Sequence, residues 1–365
     1  MKKRRIGILS GGGDCAGINS AIKWVVYSAL DERRCRESGY QYEVIGIREG
    51  WKGLTGSPFD ASQSTWPLDM ATVRTWDRQG GTLLGTSRTN PYSPKDDQSQ
   101  TVLANIEKLG LDVIVAIGGD DTQSVSYRLS QEGINVVGIP KTIDADLKGT
   151  DYTLGYETAL NVIVEDIDKL RTTAGSHRRI FVVETMGRHA GWLALEGGEA
   201  AGAYIILIPE YDFSVERVNE LILEGKKAGD RYEIVVVAEG AKAQGMTEVT
   251  KDERIDSFGH KTLGGIGAYL AAEIQQGTGL EARSQVLSYL QRGGAPSAYD
   301  RRMGRYFGIA AMDLIMRRRF GRMVSFTNCR FVSVPLKDVF GQLKLVDVAS
   351  RYDTEKYNGR HRVIT

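Results

Sequence analysis

Cysteine, proline and long apolar runs are all scarce in this chain, and each scarcity closes off a class of protein. Three of its 365 residues are cysteine. Cys15, Cys35 and Cys329 are odd in number and lack paired spacing, which excludes a disulfide frame or a zinc site and points to free thiols in a cytoplasmic, reducing compartment. The longest apolar run, around Tyr204–Ile208, falls far short of the ~18 residues that a membrane span needs. Met1–Arg5 is basic, as a signal peptide would begin, but Gly and Asp break the apolar stretch that follows. Charge of one sign is missing too. Lys plus Arg number 47 and Asp plus Glu 46, a net of +1, so no global field draws the protein to nucleic acid or membrane. Arg317-Arg318-Arg319 reads as a solvated helix end. With eight prolines there is no proline-rich linker, and neither low-complexity tracts nor short-period repeats occur. Glycine is the excess: 43 residues, about 12% against a usual ~7%, many of them clustered.

The length exceeds one small core and implies about two domains. Apolar runs at Arg5–Leu9, Glu43–Ile47, Val113–Ile117 and Asn135–Ile139 alternate with helical stretches at Asn19–Leu30 and Val102–Leu109. Near-continuous Val/Ile runs mark strands covered on both faces, hence a parallel sheet between helices. A second array follows residue 156. Tyr156, Leu160, Ile163, Ile167 and Leu170 repeat at helical spacing. Strands come next at Ile180–Glu184, Ile205–Leu207, Ile234–Ala238 and Arg283–Ser288, with helices at Gly191–Ala201, Val215–Lys226 and Thr262–Gln275. Two βα arrays in series imply an α/β protein of two Rossmann-like, three-layer domains with mostly parallel sheets. Trp51–Asp69 reads as a loop.

Three loops at strand ends suit phosphate. Ser10–Gly17 (SGGGDCAG) joins a strand to a helix, where backbone N–H groups and the helix dipole favour an anion. It fits G-x-G-x-x-A loosely, with Glu49 as a candidate ribose ligand, and phosphate or nucleotide contact is favoured over a plain strand–helix turn. A P-loop is excluded, because Ile18-Asn19 stand where Lys and Ser/Thr are required. Gly118-Gly119-Asp120-Asp121-Thr122 places adjacent carboxylates at a sheet's carboxyl edge. Mg²⁺ would resolve their repulsion of phosphate, being held by one or two carboxylates plus phosphate oxygens; helix capping would account for one Asp alone. Pro140–Asp146 (PKTIDAD) offers Lys141 to a phosphate and Asp144 as acceptor of a proton from an attacking hydroxyl. A phosphotransferase needs all three loops together.

The second array carries His177-Arg178-Arg179, Met186-Gly187-Arg188, Glu239, Arg283 and Tyr289–Gly294 at strand ends. Arginines there suit a phosphorylated substrate, and Glu239 suits sugar hydroxyls. His177 and His189 read as hydrogen-bonding structural residues, since no second ligand lies at metal spacing.

From about Ile6 to Arg322 the chain resembles the phosphofructokinases. The resemblance rests on GGGDCAGIN, GGTLLGTSR (Gly80–Arg88), GGDDT, PKTIDAD, SHRRIFVVETMGRHAG, VVVAEGA and YLQRGGAPSAYDR. It implies transfer of a terminal phosphoryl group to the 1-hydroxyl of fructose 6-phosphate, assisted by Mg²⁺, in glycolysis or gluconeogenesis. Asp144 then matches the family's catalytic base, Thr142 its neighbour on the transferring phosphoryl, Asp120 the magnesium-associated carboxylate and Arg188 the transition-state arginine. Gly12 and Arg88 match donor contacts, as do Asp121, Thr122 and Lys141 on their loops. Met186, Gly187, Glu239, Tyr289 and Arg292 match sugar-phosphate contacts. Arg179 and Arg283 match phosphate-binding arginines, one of which the family takes from a neighbouring subunit, implying a homodimer or homotetramer with a shared active site. The domains are expected at 1–155 plus about 293–325 for the donor, and at 156–292 plus about 326–365 for the sugar phosphate.

ATP-using members have Gly where this chain has Asp121 and Lys141. Aspartate there opposes a nucleotide's α-phosphate by bulk and charge, and lysine compensates a compact pyrophosphate of about three to four negative charges. The pair resembles the pyrophosphate-dependent branch; an ATP-dependent enzyme is the alternative. Lys23, Tyr27 and Met70 stand where allosteric members bind anionic effectors, two of those arginines being lost, so effector control is expected to be absent. Ala145 replaces a usual Asn, which opens the acceptor to sedoheptulose 7-phosphate. A silent regulatory subunit conflicts with intact Asp120, Asp144 and Arg188. A nicotinamide oxidoreductase leaves GGDD and PKTID unexplained, and an NAD kinase has no role for the Arg/Glu cluster.

Overall fold

The apolar runs become the centre of two sheets. In a computed structural model, which describes residues 1–246, 250–255, 261–362 and 364, the Val113–Gly118 strand is buried at all six positions. Such a strand needs cover on both faces, and a parallel sheet with crossover helices supplies it. Its sheet has seven strands, in the order Arg330–Pro335, Arg322–Thr327, Val136–Pro140, Val113–Gly118, Lys2–Ser10, Tyr40–Ile47, Thr65–Leu68. The inner five run parallel, and both edge strands are antiparallel. A second sheet, Ala282–Val286, Ile180–Thr185, Glu233–Ala238, Ile205–Leu207, is parallel throughout.

Strand order in the first sheet reverses at Lys2–Ser10. Its crossover leads one way to Tyr40–Ile47, and the chain then returns to place Val113–Gly118 on the other side. Ligands of doubly wound sheets bind outside the carboxyl ends at such a switch point. The three phosphate-type loops follow Ser10, Gly118 and Pro140, the ends of three adjacent strands.

Helix Ala298–Met316 returns to the first sheet and lies along Ile18–Ala29, where Ser20 Oγ donates to Arg301 O (2.7 Å) and the Arg305 guanidinium sits 3.9 Å from the Trp24 ring centroid. Asp300 on that helix is fully buried. It accepts from Tyr152 Oη (2.7 Å), Gly155 N (2.8 Å), Thr158 N (2.9 Å) and Thr158 Oγ1 (2.5 Å). A buried carboxylate is tolerable only with such satisfaction. It anchors the link between the PKTIDAD loop and the long helix Tyr156–His177.

Two segments differ from the sequence reading. Thr65–Leu68 is an edge strand rather than loop; its Pro67 lacks an N–H, which an edge tolerates. The hairpin Arg322–Pro335 extends the first sheet beside Val136–Pro140, although the stretch from about 326 onward was expected with the second unit. The end of the chain does reach the second sheet, with Ile206 N donating to Tyr357 O (2.7 Å) and Tyr352 Oη to Ile206 O (2.6 Å).

Candidate functional site

The carboxyl ends of both sheets face one crevice of about 950 Å³. From the first sheet it receives Gly12, Arg88, Asp120, Asp121, Thr122, Lys141, Thr142 and Asp144. From the second it receives Met186, Arg188, Glu239, Tyr289 and Arg292. Three of the expected residues lie off its wall. Gly187 turns the chain behind Met186 with φ 126°. Arg179 and Arg283 flank Glu281 outside the crevice, at 2.8 and 2.7 Å.

The glycine loop is held from beneath. Lys141 is 3% exposed, and its Nζ donates to Gly11 O at 2.8 Å and also to Gly13 O. Its charge is therefore held against the loop's carbonyls at the crevice wall, and burial lowers its pKa to about 8. Above, Thr86 Oγ1 donates to Gly12 O (2.8 Å), and Gly12 N donates to Ser87 O (3.0 Å). At Gly13 the backbone comes close to the second unit, since a Cβ there would stand 2.4 Å from an Arg292 Nη atom and the guanidinium would have to shift. This close approach joins the second unit's arginine to the first unit's loop.

Asp120 and Asp121 open helix Asp120–Gln131, whose N-cap is Gly119 and so offers no side-chain cap. Gly341 N donates to Asp120 Oδ1 (2.8 Å). Asp144 is the centre of the cluster. Its Oδ1 is buried without a hydrogen-bond partner. Burial raises its pKa, opposed by the positive charges of Arg292, Arg188, Lys141 and Arg88. Asp146, which the sequence reading left out of the site, lines the crevice as well, and burial with the neighbouring Asp144 pushes it up to about 7. Glu239 is pushed up to about 7 by burial and then by Asp144. Among the described residues no three carboxylates, histidines or cysteines form a self-sufficient metal cage. The donor set still fits Mg²⁺, which takes one or two carboxylates and completes its shell with phosphate oxygens and water.

The PKTIDAD loop carries backbone strain at Ala145, a buried residue with φ 52°. A Cβ in the left-handed region costs roughly 1–2 kcal/mol, and Asn and Gly adopt it most readily. Replacing Ala145 by Gly should stabilise the protein by about 1 kcal/mol, net of glycine's larger unfolded-state entropy. Denaturant unfolding measures this, and a destabilised variant would show the loop to be unstrained.

The crevice wall also holds Asp146, which the sequence places in the third loop without a role, His189, which it reads as structural, and Glu184, Gly341 and Leu343, which it does not single out. Asp146 had a signal in its alternation with Asp144; the wall segment had none.

The phosphofructokinase family matches residues 5–315 of the chain. A pyrophosphate–fructose 6-phosphate 1-phosphotransferase of Streptomyces coelicolor is 45% identical over 346 residues, covering 94% of this chain and 97% of the relative. An ATP-dependent 6-phosphofructokinase of the same organism is 40% identical over 351 residues, covering 96% and 99%. A solved pyrophosphate-dependent phosphofructokinase from Nitrosospira multiformis matches with TM-score 0.80 over 98% of this chain and 89% of its own, at 22% identity, a likeness of fold alone. The full-length match, together with a crevice built from the loops that carry the family's motifs, means that this chain belongs to the phosphofructokinase family.

Proposed function

We propose that the protein transfers a phosphoryl group from pyrophosphate to the 1-hydroxyl of fructose 6-phosphate. The observation that carries this reading is Asp144: a carboxylate with one buried, unpartnered oxygen, ringed by four cations, between the donor loops and the second unit's Arg/Glu wall. Its raised affinity for a proton suits a base. The hydroxyl oxygen attacks the terminal phosphorus as Asp144 takes the proton, the bridging P–O bond breaks, and inorganic phosphate leaves. Arg188 stabilises the equatorial charge. Thr142 donates to the transferring group, and Gly12 and Arg88 hold the donor. Met186, Gly187, Glu239, Tyr289 and Arg292 position the sugar phosphate. Asp120 would hold Mg²⁺ with the donor's oxygens; when bound, the ion neutralises phosphate charge. Reversibility follows because pyrophosphate and a sugar bisphosphate lie close in transfer potential.

Pyrophosphate is favoured over ATP by Asp121 and Lys141, and the relative named for pyrophosphate is the more similar of the two, at 45% against 40% identity. Asp121 brings a negative charge to the crevice, and Lys141 braces the loop that must close on a short donor. A coupled assay with each donor tests this. Turnover with pyrophosphate and at most one-hundredth of that kcat/KM with ATP is expected; the reverse preference overturns it.

Arg179 and Arg283, off the crevice, are proposed to serve a second copy's sugar-phosphate site, making the protein a homodimer or homotetramer. Effector control is proposed to be absent, because Lys23 Nζ is engaged by Arg74 O and Asp77 Oδ1, both at 2.8 Å. No helix among the described residues is long and apolar enough to cross a membrane, and the free thiols at Cys15, Cys35 and Cys329 fit the proposed cytoplasmic setting.

A further inference from the structure

Residues 336–346 run between the two units as a strap, fixed at both ends, with Gly341 and Leu343 on the crevice wall. On the first unit, Leu336 and Val339 are buried against Leu147 and Met323, and the Phe340 ring packs on Tyr127 at 4.9 Å between centroids. On the second, Trp192 Nε1 donates to Lys344 O (2.7 Å) and Val346 N to Glu210 Oε1 (2.8 Å). Between these anchors the strap touches both carboxylate loops. Gly341 N donates to Asp120 Oδ1 (2.8 Å), and Lys344 N donates to Asp146 O (2.7 Å) beside the Leu147–Leu343 bridge.

From these contacts we infer that the strap is a positioning element of the donor site, with the Gly341 N–H setting the orientation of Asp120 and Phe340 locking Gly341 in place. An N–H bound to one carboxylate oxygen fixes the plane of the carboxylate and the direction its remaining lone pairs take. Gly341 holds φ at 72°, a conformation that L side chains rarely adopt, and no heavy atom lies within 4 Å of the place a Cβ would occupy. Alanine at 341 therefore acts through the backbone alone, rotating the N–H away from Asp120. The inference deepens the proposed reading of Asp120 as a metal-associated residue and rests on it.

Steady-state kinetics of the full-length enzyme test it, with magnesium pyrophosphate varied at saturating fructose 6-phosphate and the reverse. Phe340→Ala and Gly341→Ala should each raise KM for magnesium pyrophosphate at least fivefold and leave KM for fructose 6-phosphate within twofold. Phe340→Tyr, which keeps the ring, should restore the wild-type value. Equal rises in both constants, or no change in a folded variant, would overturn the inference. Should both alanine variants fail to fold, hydrogen exchange on the wild type decides: amides of 340–344 must slow with magnesium pyrophosphate and not with fructose 6-phosphate. Wild-type turnover with ATP alone would sink the pyrophosphate reading and not this one, since the same split is then measured with magnesium ATP.

Discussion

Replacing Asp144 by Asn should lower kcat by roughly 10²- to 10⁴-fold, the usual contribution of a positioned general base, with both KM values within a few-fold of wild type. It should also make the unliganded protein more stable. The two expectations share one cause. Asp144 is held against solvent with an unpartnered oxygen, so its ionised form is disfavoured and its pKa rises despite the surrounding arginines. A carboxyl whose folded pKa exceeds its unfolded one binds protons more tightly when folded. Its stabilising contribution is therefore present below the unfolded pKa of ~4 and is lost as pH rises through the folded value. Asp146 and Glu239, both pushed up to about 7, act in the same direction over the window from ~4 to about 7. Lys141 has the opposite linkage. Its folded pKa of about 8 lies below the ordinary lysine value of 10.5, so its destabilisation persists below pH 8 and fades between 8 and 10.5. The unliganded enzyme should lose stability from pH 5 to 7 and regain some above 8. The difference between wild type and Asp144→Asn should grow as pH rises across the lower window. Thermal melts at a series of pH values read this directly. A kcat loss of less than tenfold would remove Asp144 from the role of base, and a destabilised Asn variant would show that the carboxylate is satisfied after all.

How much of this was legible in the sequence depends on the kind of residue involved. Strands Val113–Gly118 and Val136–Pro140 announce themselves because burial on both faces demands unbroken Val/Ile runs. Their loops announce phosphate because glycine and aspartate are concentrated at strand ends. Spatial adjacency of those ends is a property of strand order, which no local pattern encodes. The same limit explains the hairpin Arg322–Pro335: its antiparallel strands close the first sheet's edge, while position along the chain argued for the second unit. Lys141 was legible as a charge near phosphate and illegible as a brace, because its partners are main-chain carbonyls of Gly11 and Gly13. The strap was illegible for the same reason, since Gly341 acts on Asp120 through its N–H. Ala145 was visible as a departure from the family pattern, and its φ of 52° supplies the physical meaning: the usual Asn suits a left-handed residue.

Replacing Asp121 by Gly should relax the donor preference, raising kcat/KM for ATP at least tenfold and lowering it for pyrophosphate. Asp121 lies in the first turn of helix Asp120–Gln131, with its side chain on the crevice. A carboxylate there is itself favoured by the helix dipole, and it occupies the positive end that a phosphate chain would otherwise use. On the proposed reading, a nucleotide would run its α-phosphate past this turn. Two unit charges 4 Å apart at an effective dielectric of 20 interact by about 4 kcal/mol, an upper limit that corresponds to about a thousandfold discrimination. On the same reading, pyrophosphate would end before that point and meet only the loop. Lys141 should respond differently. Its ammonium holds the Gly11 and Gly13 carbonyls from below, so Lys141→Gly alone removes the brace and leaves buried acceptors unsatisfied, at about 1–3 kcal/mol each. That variant should lose activity with both donors, and the double variant should use ATP less well than Asp121→Gly by itself. If Lys141→Gly instead gains ATP turnover as readily as Asp121→Gly, the lysine discriminates by charge within the crevice and not by supporting the loop. If Asp121→Gly gains none, the barrier to ATP lies elsewhere on the wall.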